Sequence, residues 1–234
     1  LTAVESPGSL LILAVVEDIT ERKKVQALRE VEVQLDVARR VQQNLFPSEA
    51  PSLKGFEIAG AAFPADATGG DYFDFIPLTE DKLALVIGDV SGHGIGPAMI
   101  MALARSYLRA CALTLEDPGE ILTQVNALLS GDVASGGFMT MFWAELTTNS
   151  LRYAAAGHNA FVIHCDGTAT ELSPSAVVLG PLPESLTTTV ESKPVQPGEI
   201  LVLMTDGVWE ARNADNDQFG IKRTIEFIHK HRNE

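Results

Sequence analysis

Apolar and polar positions alternate most regularly between Asp18 and about Phe46, a stretch without glycine or proline. Within it, seam positions recur at alternating three- and four-residue steps, namely Leu28, Val31, Leu35, Ala38, Gln42 and Leu45. This heptad spacing predicts a long helix with a narrow pairing seam. Thr20 is placed to cap its first turn, and Pro47 ends it.

A second row of valines, Val33, Val37 and Val41, makes the C-terminal half of this helix apolar over a wider face than a two-stranded coiled coil uses. We expect one face to pair with a second copy of the chain and the other to lie on the domain that follows. Gln42 places a polar group in the seam, which weakens pairing locally and sets its register or leaves it switchable. The alternative is a plain amphipathic helix that packs only on its own domain.

The rest of the chain alternates between strand-like and helical patterns. Strands are predicted at about residues 9–17, 56–63, 72–78, 83–90, 138–146, 151–156, 161–165, 177–179, 187–190 and 200–205. Helices are predicted at 95–115, at 118–129 and from about 221 onwards, still continuing at Glu234. In a typical parallel sheet, strands and helices alternate along the chain. Here a pair of helices lies between two groups of consecutive strands, which does not fit that order. We therefore expect an α+β fold with two stacked, mostly antiparallel sheets flanked by helices.

Composition narrows the function classes. With 234 residues, of which 46% are apolar, the chain is long enough for one large domain or for a domain with an appendage. A net charge of −14 and a single dense basic run, Arg22-Lys23-Lys24, argue against a nucleic-acid partner. Cys111 and Cys165 are far apart, and we expect reduced thiols in a cytoplasmic protein.

The longest apolar run, residues 10–16, is much shorter than the roughly 18 residues of a membrane span. No membrane segment is therefore expected in this chain. The sequence begins at Leu1 with neither a methionine nor a signal-peptide pattern. We expect a fragment of a longer protein, whose membrane anchor, if it has one, lies upstream.

Three aspartates stand where an apolar strand meets a turn. Asp71 lies in the run GGDYFD, Asp89 in IGDVSGHG and Asp206 in ILVLMTDG. A single aspartate of this kind usually caps a turn. Three carboxylates gathered by tertiary folding repel one another unless cations lie between them, so their convergence implies bound divalent metal. Hard oxygen donors suit Mg²⁺ or Mn²⁺ better than zinc, and two ions are the natural number.

A pair of metal ions suits the hydrolysis of phosphate monoesters, because two ions activate a water and clamp the oxygens of an in-line displacement. These esters are among the slowest to hydrolyse unaided, so a catalyst must neutralise charge and activate the nucleophile. The chain contains no GxxxxGK[ST] loop, GxSxG elbow or HExxH helix. Nucleotide chemistry on a P-loop and the nucleophile or zinc motifs that would compete are therefore not indicated.

Five motifs in order carry a family resemblance: GGDYFD, GDVSGHG, FMTMFWAEL around Thr140, AGHN at residues 156–159, and LVLMTDGVWEARN. Over about residues 38–234 the chain resembles the PPM-type metal-dependent serine/threonine phosphatases, and within them the bacterial SpoIIE and RsbU branch. The preceding ARRVQQNLFP is similar to the helix before that family's domain. The resemblance implies an αββα four-layer sandwich, two Mn²⁺ or Mg²⁺ ions, and hydrolysis of phosphoserine by metal-activated water without a covalent intermediate.

The resemblance also implies roles for individual residues. Asp89 would bridge both metals with the carbonyl of Val90 as a further ligand, while Asp206 would bind one ion and Asp71 the other, directly or through water. His93 would be either the general acid that protonates the serine leaving group or an imidazole that satisfies the loop backbone. Further residues are expected to be structural or to support the site from further out: Asp74, Thr140, His158, Asn159 and Arg212.

Both ends of the chain bear on this resemblance. The family normally closes with a strand that begins Asp-Asp-hydrophobic-Thr and completes the metal site, and no such segment precedes Glu234, so we expect an incomplete site here. The run VVEDITERKK at residues 15–24 is similar to the last strand and exit of a PAS sensor domain. We therefore divide the chain into the end of a PAS domain at 1–18, a linker helix at 19–47 and the phosphatase domain at 48–234.

The favoured interpretation is a sensor-regulated phosphatase that acts on phosphoserine of a small signalling partner, by family analogy a STAS-type anti-sigma-factor antagonist. We expect it to form a homodimer through the linker helix. One alternative, motivated by the missing final aspartate, is a non-catalytic interaction or dimerisation module that retains the fold. A remote alternative takes GGDYF as a degenerate GGDEF loop of a cyclic-dinucleotide synthase, although Tyr72 replaces the expected acid and GDVSGHG is left unexplained.

Overall fold

The first part of the chain forms a hairpin and a long helix. The structure, a computed structural model, describes residues 2–6, 9–13, 17–64, 67–133 and 137–232, the first two ranges as backbone only. Strands β1 (Thr2–Ser6) and β2 (Ser9–Leu13) pair antiparallel, and helix α1 spans Thr20–Gln43. Residues 14–16 of the first predicted strand lie outside the described residues. The chain divides into two units, residues 1–37 and 38–234.

Five antiparallel strands form the larger sheet, in the order β3–β4–β5–β6–β9. They are β3 (Tyr72–Thr79), β4 (Lys82–Val90), β5 (Met139–Leu146), β6 (Leu151–Ala156) and β9 (Val190–Ser192). The central strand β5 is buried on both faces except at Thr140. Burial on both faces explains why apolar residues follow one another at positions 141–144 of this strand instead of alternating with polar ones.

Three antiparallel strands form the smaller sheet, in the order β10–β7–β8, and the chain passes between the two sheets through loops. The strands are β7 (Ala160–Ile163), β8 (Ala169–Leu172) and β10 (Ile200–Leu203). The helices are α2 (Ile95–Cys111), α3 (Pro118–Leu129), α4 (Asp206–Trp209) and α5 (Ile221–Lys230). Over the described part of the chain, none of the helices has the combined length and apolarity needed to cross a bilayer.

Two apolar cores hold the layers of the second unit together. On one face of the larger sheet, α2 and α3 bury Met101, Leu108 and Trp143. On the other face the smaller sheet stacks on it, and the rings of Phe142 and Tyr153 lie 4.9 Å apart. The neighbours Phe142 and Trp143 thus serve different cores, because successive side chains of a strand point to opposite faces. This arrangement confirms the predicted α+β fold of two antiparallel sheets with helices.

Several predicted boundaries are wrong. Residues 56–63 form no strand: Phe56 makes an isolated bridge to Leu53 and, with Ile58, packs singly against the core between the sheets. Residues 177–179 contribute only an isolated bridge at Leu179, the strand predicted at 187–190 begins at Val190, and the last helix ends at Lys230. The pattern also predicts neither β8 nor α4, because these short, mostly exposed segments have little periodicity. Alternating apolar residues indicate burial of one face, whereas a strand also requires a neighbouring strand with which its backbone forms hydrogen bonds.

Candidate metal centre

Asp71 and Asp89 face each other at one end of the β3–β4 pair. The register pairs Tyr72 with Gly88, and one residue further along it sets Asp71 opposite Asp89. The pairing continues beyond that point, since the Val90 amide donates to the Gly70 carbonyl at 3.3 Å. Directly opposed residues of an antiparallel pair project from the same face of the sheet, so the two carboxylates are neighbours.

Asp206 reaches the same place from the smaller sheet. It is the first residue of α4 and follows β10 after a short link through Met204 and Thr205. The Thr205 hydroxyl donates to the carboxylate of Asp71, and the charge of Asp206 acts on both Asp71 and Asp89. Tertiary folding therefore gathers three carboxylates that are far apart in the sequence.

The surroundings of Asp71 and Asp89 favour the protonated forms of these two carboxylates. Burial raises the pKa of Asp89 to about 7, and the neighbouring charges of Asp71 and Asp206 add to this effect. Burial also raises the pKa of Asp71, against the hydrogen bond from Thr205 and together with the charge of Asp206. A divalent cation between these groups would reverse the effect, because it stabilises their ionised forms.

The donor set fits Mg²⁺ or Mn²⁺, since carboxylate oxygens are the ligands that these ions prefer. A Cβ at residue 70 would lie 2.4 Å from the Val90 carbonyl oxygen, so only glycine allows this backbone approach beside Asp71. Within residues 17–64, 67–133 and 137–232, no three His, Cys, Asp or Glu side chains form a closed ligand set.

His93 lies exposed on the glycine-rich turn between β4 and α2. Gly92 and Gly94 on either side have φ values of 96° and 88°, which glycine adopts at little cost. These two glycines allow the sharp turn that leads from Asp89 into α2. The turn places His93 near the end of β4 that carries Asp89, which leaves both sequence-based roles for its imidazole open.

Gln42, near the end of α1, is tied to the loop that precedes Asp71. Its side-chain Nε2 donates to the Gly69 carbonyl at 2.7 Å, and the Gly69 amide donates back to Oε1 at 3.1 Å. The side chain is buried, with 6% exposure. The sequence suggests a polar break in a pairing seam, whereas the structure gives Gln42 a contact to a loop of the same structural unit, residues 38–234. The sequence signal for this contact is a polar residue, Gln42, in an otherwise apolar face of the helix.

Asp74 is buried away from the three carboxylates and has a structural role. Its carboxylate accepts two hydrogen bonds from the Arg109 guanidinium, both at 2.7 Å, and one from the Tyr72 hydroxyl at 2.8 Å. Arg105 adds a more distant contact at 3.8 Å. This paired charge joins β3 to α2 directly behind the GGD turn.

The remaining candidates divide into two groups. Thr140 and His158 hydrogen-bond each other at 2.8 Å near Asp89, because Thr140 is the register partner of Asp89 on β5. Asn159 donates to Glu171 and Arg212 donates to the carbonyl of Asn216, so these two side chains support neighbouring loops.

Comparison with solved structures places this architecture in a known class. The SiaA-PP2C domain of Pseudomonas aeruginosa superposes with a TM-score of 0.74 at 22% identity, covering 89% of this chain and 84% of that one. The fold is therefore PP2C-like. The family described as Stage II sporulation protein E (SpoIIE) matches residues 79–234, and the chain belongs to this family. This assignment removes the cyclic-dinucleotide synthase interpretation.

Two curated relatives resemble longer stretches of the sequence. Protein IcfG of Synechocystis sp. (strain ATCC 27184 / PCC 6803 / Kazusa) is 30% identical, covering 84% of this chain and 36% of IcfG. The phosphoserine phosphatase RsbU of Bacillus subtilis (strain 168) is 27% identical, covering 79% of this chain and 56% of RsbU. The chain thus spans between about a third and just over half of the length of these relatives.

Proposed function

We propose that this chain contains the catalytic domain of a metal-dependent protein serine/threonine phosphatase that hydrolyses phosphoserine. The observation that carries the proposal is the convergence of Asp71, Asp89 and Asp206 from two different sheets onto one edge of the fold. Membership of the SpoIIE family and similarity to a relative named phosphoserine phosphatase support the same reaction.

In this proposal two Mn²⁺ or Mg²⁺ ions bind at the three aspartates. Asp71, Asp89 and Asp206 would hold the ions, with the Val90 carbonyl as a further ligand. When bound, the ions supply Lewis acidity towards the phosphate oxygens and activate water. The protein holds these oxygen donors at the ends of two strands and at the first residue of α4. His93 supplies a proton to the departing serine oxygen.

The proposed substrate is a phosphorylated protein, with a STAS-type anti-sigma-factor antagonist as the specific candidate. The family analogy supports this choice, and the net charge of −14 argues against nucleic acid as the partner. A cytoplasmic location fits such a substrate.

The proposed regulation begins upstream of the catalytic domain. We take 1–18 as the end of a PAS sensor domain, 19–47 as a linker helix and 48–234 as the phosphatase domain. The hairpin of β1 and β2 followed by α1 supports the first two assignments. Several seam residues of α1 are exposed in the single chain, with Leu28 at 69% and Val31 at 52%, which supports a homodimer through this helix.

A substitution in the seam tests the dimer. Leu35→Asp is expected to convert a dimer into a monomer in analytical ultracentrifugation and to change phosphatase activity at the same time. Gln34→Asp, at the exposed neighbouring position outside the seam, is the matched control and should do neither. If Leu35→Asp leaves both properties unchanged, the linker does not transmit a signal by pairing.

The second candidate is a non-catalytic interaction module that retains the fold. The observation that favours it is that, across the described ranges, the acidic side chains are not drawn into a closed ligand set. Mn²⁺ titration calorimetry separates the two candidates. Binding that depends on Asp89 supports the enzyme, whereas a chain that binds no Mn²⁺ supports the module.

Phosphate release provides the direct test of the reaction. The full chain with Mn²⁺ is incubated with a phosphoserine-containing STAS-domain protein, and inorganic phosphate is measured over time. Asp89→Asn is expected to abolish release, and Asp215→Asn, an exposed aspartate outside the site, should leave it intact. Unchanged release by Asp89→Asn would overturn the site assignment.

A further inference from the structure

We propose that His158 is a positioning residue that fixes the segment bearing Asp206 against the strand next to Asp89. The consequence for metal binding rests on the proposed function, whereas the structural link does not. His158 lies on the connection between β6 and β7, the point where the chain passes from the larger sheet to the smaller one. It is buried, with 6% exposure.

Both nitrogens of the His158 ring are engaged. Nε2 lies 3.1 Å from the Met204 carbonyl oxygen, and Nδ1 lies 2.8 Å from the Thr140 hydroxyl. A carbonyl oxygen can only accept, so Nε2 carries the hydrogen and donates to Met204. Nδ1 then accepts from the Thr140 hydroxyl. The two contacts together specify one neutral tautomer and one ring orientation.

The two partners of His158 lie next to the candidate metal ligands. Thr140 is directly opposite Asp89 in the β4–β5 register, so their side chains share a face of the larger sheet. Met204 directly follows β10 of the smaller sheet and precedes Asp206, the first residue of α4, by two positions. The imidazole therefore connects the surroundings of Asp89 with the backbone that leads to Asp206.

Backbone hydrogen bonds between paired strands cannot set the distance from β5 to β10, because these two strands belong to different sheets. Stacked sheets are held by apolar side chains, whose attraction is non-directional, whereas a hydrogen bond prefers one distance and one angle. The connection that carries His158 is itself constrained. Gly157 has a φ of 64°, and a Cβ there would lie 2.6 Å from Cγ1 of Val178. A ring fixed on a constrained turn sets the spacing of the two sheets at this edge.

Hydrogen exchange of the metal-free protein tests the structural link. In His158→Ala we expect amides of residues 204–209 to exchange about tenfold faster, since a lost hydrogen bond of about 1.4 kcal/mol changes an opening equilibrium by that factor. Residues 118–129 of α3 should keep their protection. His158→Gln, whose amide also offers a donor group and an acceptor group, should restore the slower exchange at 204–209. His231→Ala, directly after α5, serves as the control.

Two exchange results would overturn the proposal. One is unchanged exchange at 204–209 in His158→Ala, and the other is an equal increase at 118–129, which would indicate general destabilisation. Rescue by His158→Gln confined to 204–209 would support positioning.

Mn²⁺ calorimetry tests the consequence for the metal. Removal of a residue that orients a ligand typically costs 10–100-fold in affinity, so we expect about a tenfold loss in His158→Ala. If His158 acts through Asp206, the double variant with Asp206→Asn should bind no more weakly than Asp206→Asn alone. Additive losses would contradict the proposal. A wild-type chain that binds no Mn²⁺ would instead contradict the proposed function, and the exchange data would then decide the role of His158.

Discussion

The side-chain amide of Gln42 binds both backbone groups of Gly69, donating to its carbonyl at 2.7 Å and accepting from its amide at 3.1 Å. Gly69 is followed directly by Gly70 and Asp71, so the last turn of α1 holds the loop that carries the first candidate ligand. The amide and carbonyl of a partly buried loop residue need partners, and here a single side chain supplies both.

Gln42→Ala should release this loop. Two partly buried backbone groups lose their partners, so we expect the free energy of unfolding to fall by about 1–2 kcal/mol and the Gly69 amide to exchange faster. Urea denaturation and hydrogen exchange measure the two effects. Gln43→Ala is the matched control, because Gln43 is exposed on the same turn and its loss should change stability by less than about 0.5 kcal/mol. Equal effects of the two variants would show that the Gln42 hydrogen bonds do not matter.

Gly70→Ala should damage the site through the backbone. The new methyl group would meet the Val90 carbonyl oxygen at 2.4 Å, so β3 and β4 must separate at the end that holds Asp71 and Asp89. We expect a loss of about 1–3 kcal/mol in stability and a loss of Mn²⁺ affinity. Circular dichroism melts and calorimetry measure these changes.

The control for this substitution is Gly96→Ala. A Cβ at Gly96 meets nothing within 4 Å, and the residue lies in the first turn of α2. Its replacement should be neutral or slightly stabilising. A Gly70→Ala protein as stable as Gly96→Ala would contradict the close approach.

Asp89 makes the stability of the metal-free protein depend on pH. Its pKa is about 7 in the folded chain, against an ordinary value of 3.8. The folded state keeps a proton that the unfolded state releases, so the stabilising contribution is complete below about pH 4 and is lost as the pH rises towards 7. Urea denaturation in the presence of a chelator should follow this decline.

Asp89→Asn should remove part of that decline and raise the stability of the metal-free protein at pH 8. We expect a gain of about 1–2 kcal/mol, discounted because solvent screens a partly exposed carboxylate. The same variant should lose the stabilisation that Mn²⁺ gives to the wild type. A lower stability of Asp89→Asn than of wild type at pH 8 without metal would contradict the burial of an ionised Asp89.

Asp74→Ala should be among the most destabilising changes in the chain. It leaves the guanidinium of Arg109 without the carboxylate that accepts its two hydrogen bonds, and it removes the partner of the Tyr72 hydroxyl. The carboxylate is buried whereas the Arg109 side chain is 42% exposed, so we expect a loss of about 1.5–3 kcal/mol, the range for hydrogen bonds to charged groups. Urea denaturation measures the loss.

Two further variants sharpen the Asp74 test. The double replacement Asp74→Leu with Arg109→Leu should cost less than Asp74→Ala, because no charge is left unpaired. Asp81→Ala, in the exposed turn between β3 and β4, should change stability by less than about 0.5 kcal/mol. Similar losses for Asp74→Ala and Asp81→Ala would mean that the buried pair contributes nothing.

Local chemistry made several elements predictable. Helix α3 occupies Pro118–Leu129, with Asp117 accepting from the amides of Gly119 and Glu120 as an N-cap. Strand β6 also lies at the predicted residues, because its apolar run ends at recognisable turns. The predictions at 56–63 and 177–179 were wrong, since an apolar pattern does not specify a partner strand.

The sequence by itself determined the α+β class, most of the helices and strands, and the position of each aspartate at a strand end. These features follow from periodicity, capping and turn residues, which act over a few neighbouring positions. Only the tertiary structure decided that Asp206 joins Asp71 and Asp89, that Gln42 holds Gly69, and that His158 links the two sheets. Such contacts depend on strand register and on the stacking of the sheets, which are set by packing between residues far apart in the chain.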